Sequence, residues 1–125
     1  MKKFYSLFLV LLMMITAQSQ KRSWNGGNGS WKDITNWTPA GTPLASDILE
    51  FNAVSGTISN VPTMSLAGLI VTNGANITLT KPAAGGNNTL TITNGAAAND
   101  FVVSAGSVLI QGNEINITLS AGAGG

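Results

Sequence analysis

The sequence predicts an all-β protein: a right-handed parallel β-helix (solenoid) segment after a cleaved signal helix. Three observations carry that expectation. The chain opens on a short basic and apolar export segment. Past Ser19, short Ile/Val/Leu/Thr runs alternate with Gly- and Asn-rich turns and show no helical periodicity. A strand, Xaa-Gly turn, strand unit then recurs with a period of about 20, which suits stacked coils. A small β-sandwich or meander is the competing geometry, because Asn-Gly is also the strongest hairpin signal.

The export segment comes first. Met1-Lys2-Lys3 is a basic start, and Phe4 to Ile15 is almost wholly apolar. That run fits a signal peptide and falls short of the roughly 20 residues of a membrane span. Thr16-Ala17-Gln18-Ser19-Gln20 is small and polar, with Ala17 and Ser19 at the two small-residue positions before a cut. Cleavage is therefore expected between Ser19 and Gln20, giving residues 1–19 as signal peptide and a secreted or outer-surface product. No Cys follows to take a lipid anchor. The mature chain is not expected to span a membrane.

Charge and composition narrow the rest. The whole chain carries six Lys and Arg against five Asp and Glu. Lys2 and Lys3 leave with the export segment, so the remainder is near neutral. Without a basic patch, nucleic acid is not an expected partner. There is no Cys for disulfides and no His for general-base or imidazole-metal chemistry.

Residues 20–51 read as a Trp- and Gly-rich cap. They hold all three tryptophans, Trp24, Trp31 and Trp37. Asn25-Gly26-Gly27-Asn28-Gly29 is a tight turn, since Gly and Asn tolerate positive φ. A hairpin there would bring Trp24 and Trp31 together. Thr38 to Pro43 is a loop, because two prolines remove ladder donors. Asp47 to Phe51 is the first clean strand, with Ile48 and Glu50 on one face and Leu49 and Phe51 on the other.

Residues 52–125 read as solenoid coils, truncated at the C-terminal end. The first unit joins Leu69–Thr72 to Asn76–Thr80 through Asn73-Gly74. The second joins Thr89–Thr93 to Phe101–Val103 through Asn94-Gly95. The third joins Ser107–Ile110 to Ile115–Leu119 through Gln111-Gly112. Pro82–Gly86 and Ala96–Ala98 are inserted corners. The expected inward set is Leu69, Val71, Ile77, Leu79, Leu90, Ile92, Val102, Val108, Ile110, Ile117 and Leu119.

Several segments together resemble a known group of proteins. These are Trp24-Asn25-Gly26-Gly27 with Gly29 and Trp31, a further Trp at 37, the Pro loop, Ser46-Asp47-Ile48-Leu49-Glu50-Phe51, and the Asn-Gly coils. The pattern resembles exported bacterial β-helix surface proteins with autotransporter-type β-strand repeats. It is also similar to adhesin-like proteins exported by Bacteroidota through the type IX route. The resemblance implies surface display, and an adhesive or stalk role for an N-terminal fragment. Two departures stand out: neither an outer-membrane barrel nor a sorting domain follows before Gly125.

Catalytic chemistry is not expected. Triads need a base such as His, and Asp47 and Glu50 point to opposite faces of one strand. No calcium nonapeptide repeats, and the Gly-rich turn lacks the Lys-Ser/Thr ending of a phosphate loop. No cofactor or metal is expected. Trp24, Trp31 and Trp37 are candidates for glycan stacking; the alternative is that they plug the end of the core. Thr78, Thr80, Thr89, Thr91, Thr93, Thr118 and Ser120 form outward Thr rows. Such rows resemble the ice-binding faces of some solenoids, or simply keep a strand face soluble. The expected function is a non-catalytic structural or adhesive segment with a cell-surface or matrix polysaccharide as partner. The alternative is a carbohydrate-binding or non-catalytic part of a polysaccharide-degrading enzyme.

Overall fold

The structure is a computed structural model that describes residues 19–93 and 100–120. The protein is all-β, as expected. Twelve strands and one 3-10 turn are joined by turns and loops within the described residues. The export segment up to Gln18, the Asn94-Gly95 turn with Ala96–Ala98, and Ala121–Gly125 lie outside them.

The first strands belong to the Trp-rich part: β1 (Lys21–Trp24), β2 (Gly29–Ser30), the 3-10 turn Ile34–Asn36 and β3 (Trp37–Thr38). Nine strands follow in three tiers. The first tier is β4 (Ile48–Asn52), β5 (Ser55–Ser59) and β6 (Met64–Leu66). The second is β7 (Gly68–Thr72), β8 (Asn76–Leu79) and β9 (Asn88–Thr93). The third is β10 (Phe101–Val103), β11 (Val108–Gln111) and β12 (Ile115–Ser120).

Strands pair between tiers and not within them. One sheet runs β10-β7-β4-β1-β3, a second β11-β8-β5-β2, and a third β12-β9-β6. The second and third sheets are parallel throughout. The first is mixed, because β3 pairs antiparallel with β1.

This arrangement corrects the two-strand unit read from the sequence. Asn73-Gly74 does not close a hairpin: β7 and β8 lie in different sheets. Both residues have positive φ, 54° and 75°. Two successive left-handed residues turn the chain sharply, and Asn and Gly adopt that conformation at least cost. The same dipeptide that favours a hairpin here makes a corner, because each flanking strand already has parallel partners above and below. The Asn25–Gly29 turn is likewise a corner, with β1 and β2 in separate sheets.

Register builds the core. Leu49 pairs with Leu69 and Leu69 with Phe101; Phe51 pairs with Val71 and Val71 with Val103. Ile58 lies beside Leu79, and Ile77 beside Leu109. Leu66, Ile92 and Leu119 form a further column. Leu49, Phe51, Leu69, Val71, Ile77, Leu79, Leu90 and Ile92 are buried. Each such side chain contributes about 1.5–3 kcal/mol of burial.

The third tier corrects part of the expected inward set. Val108 and Ile110 are 42% and 46% exposed, and Leu109 packs on the core instead. Val102 pairs with the half-buried Ile70 and is itself half-buried, while Phe101 and Val103 continue the columns of Leu69 and Val71 yet are 37% and 39% exposed. The runs Phe-Val-Val and Val-Leu-Ile have no polar member to mark a face, so the pairing register decides. Leu119 is in the inward column but 62% exposed, and Ile117 is half-buried. Both lie on β12, which pairs with β9 on one side. Among the described residues, no helix is long and apolar enough to cross a membrane.

Candidate functional site

The three tryptophans are brought together, but as core. Trp24, Trp31 and Trp37 are 3%, 2% and 1% exposed. Trp37 stands edge-on between the other two, with centroids 4.9 Å from Trp24 and 5.3 Å from Trp31. Its far side meets Phe51 at 6.1 Å. The indole N–H groups of Trp24 and Trp37 donate to the carbonyls of Gly27 and Trp31, which satisfies the one polar atom each ring carries. A sugar ring needs an open aromatic face, and burial takes these away. The glycan-stacking expectation for Trp24, Trp31 and Trp37 is therefore corrected: they plug the core. Trp24 and Trp31 meet through Trp37, not through a shared hairpin.

Most of the carboxylates are tied to specific partners. Asp47 Oδ2 accepts from Arg22 Nε at 2.7 Å and from the Leu44 N–H at 2.9 Å. Glu50 pairs with Lys21 at 2.6 Å and accepts from the Ser23 hydroxyl. Asp33 caps the 3-10 turn, accepting from the Thr35 hydroxyl at 2.7 Å and N–H at 3.0 Å. The Thr35 hydroxyl, and then its N–H, hold the Asp33 carboxyl below its ordinary range. Among the described residues, no three acidic, His or Cys side chains gather as a metal site.

A shallow groove of about 270 Å³ lies between the second and third tiers, lined by Thr80, Lys81, Gly112, Asn113 and Glu114. Lys81 donates to the Gly85 carbonyl and lies 3.2 Å from Glu114. This pair ties the 81–87 loop to the third tier.

The third sheet presents a different kind of surface. On β9, Leu90 and Ile92 point inward, so Thr89, Thr91 and Thr93 point outward. The same alternation on β12 turns Asn116, Thr118 and Ser120 outward. In register, Ser65 pairs with Thr91 and Thr91 with Thr118; Thr89 pairs with Asn116 and Thr93 with Ser120. The columns stand about 4.8 Å apart between strands and about 6.7 Å apart along them. The result is an uncharged array of hydroxyl and amide groups over a rigid apolar layer. Thr93 uses its hydroxyl to bond the Leu66 carbonyl at 3.0 Å.

Of the Thr rows expected from the sequence, Thr89, Thr91, Thr93, Thr118 and Ser120 lie on this face. Thr78 belongs to the second sheet, where its column runs from Thr57 to the apolar Ile110. Thr80 turns its hydroxyl to the Ile58 carbonyl. Sequence reasoning missed Ser65 and Asn116. Met64–Leu66 is too short to show alternation by itself, and Asn116, although inside the expected Ile115–Leu119 strand, is neither Thr nor Ser and does not extend a hydroxyl row. The residue triplet Ile-Asn-Ile at 115–117 is the signal that could have placed Asn116 outward.

No family model, no curated protein and no solved structure matches this chain.

Proposed function

We propose that the chain is an exported, non-catalytic structural and adhesive segment, working at the cell surface or after secretion. In this reading its three tiers wind as coils of a right-handed parallel β-helix. The outward face of the third sheet then contacts neutral polysaccharide. The observation that carries the proposal is the in-register column Ser65–Thr91–Thr118 with its Thr89–Asn116 and Thr93–Ser120 neighbours. Stacking fixes these hydroxyls at regular spacing before any ligand arrives, which lowers the ordering cost of binding. A face without charge suits a neutral, hydroxyl-rich partner and repels no glycan. The commitment of Asp33, Asp47, Glu50 and Glu114 to structural partners supports the non-catalytic part. The apolar run before Ser19 supports export.

The test is binding to immobilised neutral polysaccharides, compared between the wild type and the Ser65→Arg/Thr118→Arg double variant. Both positions are exposed, so melting should be unchanged. Binding should fall at least about tenfold, the equivalent of 1.4 kcal/mol. Equal binding by the two proteins would remove the face from the proposal.

A further inference from the structure

A buried carboxylate lies beside the nitrogen that export processing would expose. Asp47 is 2% and Arg22 7% exposed. The Arg22 guanidinium donates Nε to Asp47 Oδ2 at 2.7 Å, and its Nη1 donates to the Pro39 carbonyl at 2.8 Å. The other carboxylate oxygen, Oδ1, faces the backbone nitrogen of Gln20 at 3.4 Å. That nitrogen is held in place from its own residue: the Gln20 carbonyl accepts from the Ile48 N–H at 2.9 Å. Lys21 then pairs with Ile48 in the β1–β4 ladder. Ser19 and Gln20 are both exposed.

We infer that hydrolysis of the Ser19–Gln20 bond creates an α-ammonium that becomes a further partner of Asp47, so that removal of the export segment itself stabilises the fold. The inference rests on the export reading above. In the step, water adds its hydroxyl to the Ser19 carbonyl carbon, the C–N bond breaks, and the Gln20 nitrogen leaves as an amine that takes a proton. A peptidase of the signal-processing class carries it out. Before cleavage the nitrogen offers one neutral N–H at a long 3.4 Å. Afterwards it offers three donors and a positive charge, and charge-assisted bonds to a carboxylate are shorter and about twice as strong. A chain cut two residues earlier, after Ala17, would carry its charge away from Asp47. The contact therefore distinguishes between cleavage positions.

Three other charged groups bear on the site among the described residues. Arg22 is a like charge and opposes the ammonium, although two carbonyls share its guanidinium. Lys21 and Glu50 neutralise one another. The net effect is a raised α-amino pKa in the folded state. A raised folded value means that the added stability is fully present below the unfolded value of about 7.7–8.0. It is lost as pH rises through the folded value.

The experiment first identifies the N-terminal residue of the exported chain by mass spectrometry. A start other than Gln20 overturns the processing position, independently of the contact with Asp47. The contact is read on chain beginning at Gln20, with a free or an acetylated amine. The free form should melt a few degrees higher at pH 6, and the difference should close above about pH 9. Titration by NMR should place the α-amino pKa at least about half a unit above the ordinary range. Asp47→Asn should return it to that range; should this variant fail to fold, the wild-type titration still decides. Equal melting of the two forms with an ordinary or lowered pKa would overturn the contact.

Discussion

Gly56→Ala should destabilise the protein out of proportion to the single methyl it adds. A Cβ built at Gly56 falls 2.2 Å from the carbonyl oxygen and 2.4 Å from the carbonyl carbon of Gly27, and 3.0 Å from the Asn28 nitrogen. Ordinary contacts to such atoms begin beyond about 3.3 Å, so the backbone of the 26–28 corner must move by about 1 Å. Overpacking of this kind costs about 1–3 kcal/mol. The displaced Gly27 carbonyl also accepts from the Trp24 indole at 3.2 Å, and Asn28 Oδ1 accepts from the Thr57 N–H at 2.8 Å. Leaving the buried indole N–H without an acceptor adds about 1–3 kcal/mol. Because movement relieves part of each term, a total of about 2–4 kcal/mol is expected. For a domain near 100 residues this lowers Tm by about 10–25 °C. Thermal unfolding followed by circular dichroism measures it. Gly86→Ala is the control, because a Cβ there meets nothing within 4 Å, and it should stay within about 0.5 kcal/mol of wild type. Equal melting of the two variants would refute the close approach of the first tier to the Trp-rich corner.

The remaining predictions concern register and pH. Leu109→Asp should cost more than about 2 kcal/mol and Ile110→Asp less than about 1 kcal/mol in denaturant unfolding, because Leu109 packs on the core while Ile110 faces out; the reverse order would put β11 in the opposite register. The Asp33 carboxyl, held low by Thr35, should titrate by NMR below its ordinary 3.8 and move back up in Thr35→Ala, which keeps only the N–H. Because the folded value is depressed, its stabilising share is present above 3.8 and lost as pH falls through the folded value.

The all-β class was legible because Ile-Thr-Leu and Leu-Thr-Ile alternation has only one periodic interpretation. Ile77, Leu79, Leu90 and Ile92 were placed inward for the same reason. The number of strands per tier was not legible. Ser55–Ser59 is polar and interrupted by Gly56, and Met64–Leu66 has only three residues; they become strands through pairing with β8 and β9. Without them the chain reads as two-strand units. Val102, Val108 and Ile110 went wrong where apolar residues stand side by side, since pattern cannot then choose a face. The tryptophans show a related limit. An aromatic cluster in a Gly-rich segment reads equally as a binding platform or a core plug, and only burial separates the two. The Thr rows on β9 and β12 were visible as alternation, but their union into one face depends on Thr91 lying beside Thr118 across a long sequence gap.

That union carries the account, and cysteine crosslinking tests it directly. The chain has no Cys of its own, so each introduced pair is unique. Neighbouring parallel strands hold paired Cα atoms about 4.8 Å apart, within disulfide reach, whereas a diagonal neighbour lies beyond the roughly 7 Å limit. Thr91→Cys with Thr118→Cys should oxidise to an intramolecular disulfide, seen as a loss of two mass units and a mobility shift reversed by reductant. Thr91→Cys with Asn116→Cys should remain reduced under the same conditions. Failure of the first pair to crosslink, or equal crosslinking of both, would contradict the stacked register on which the face is built.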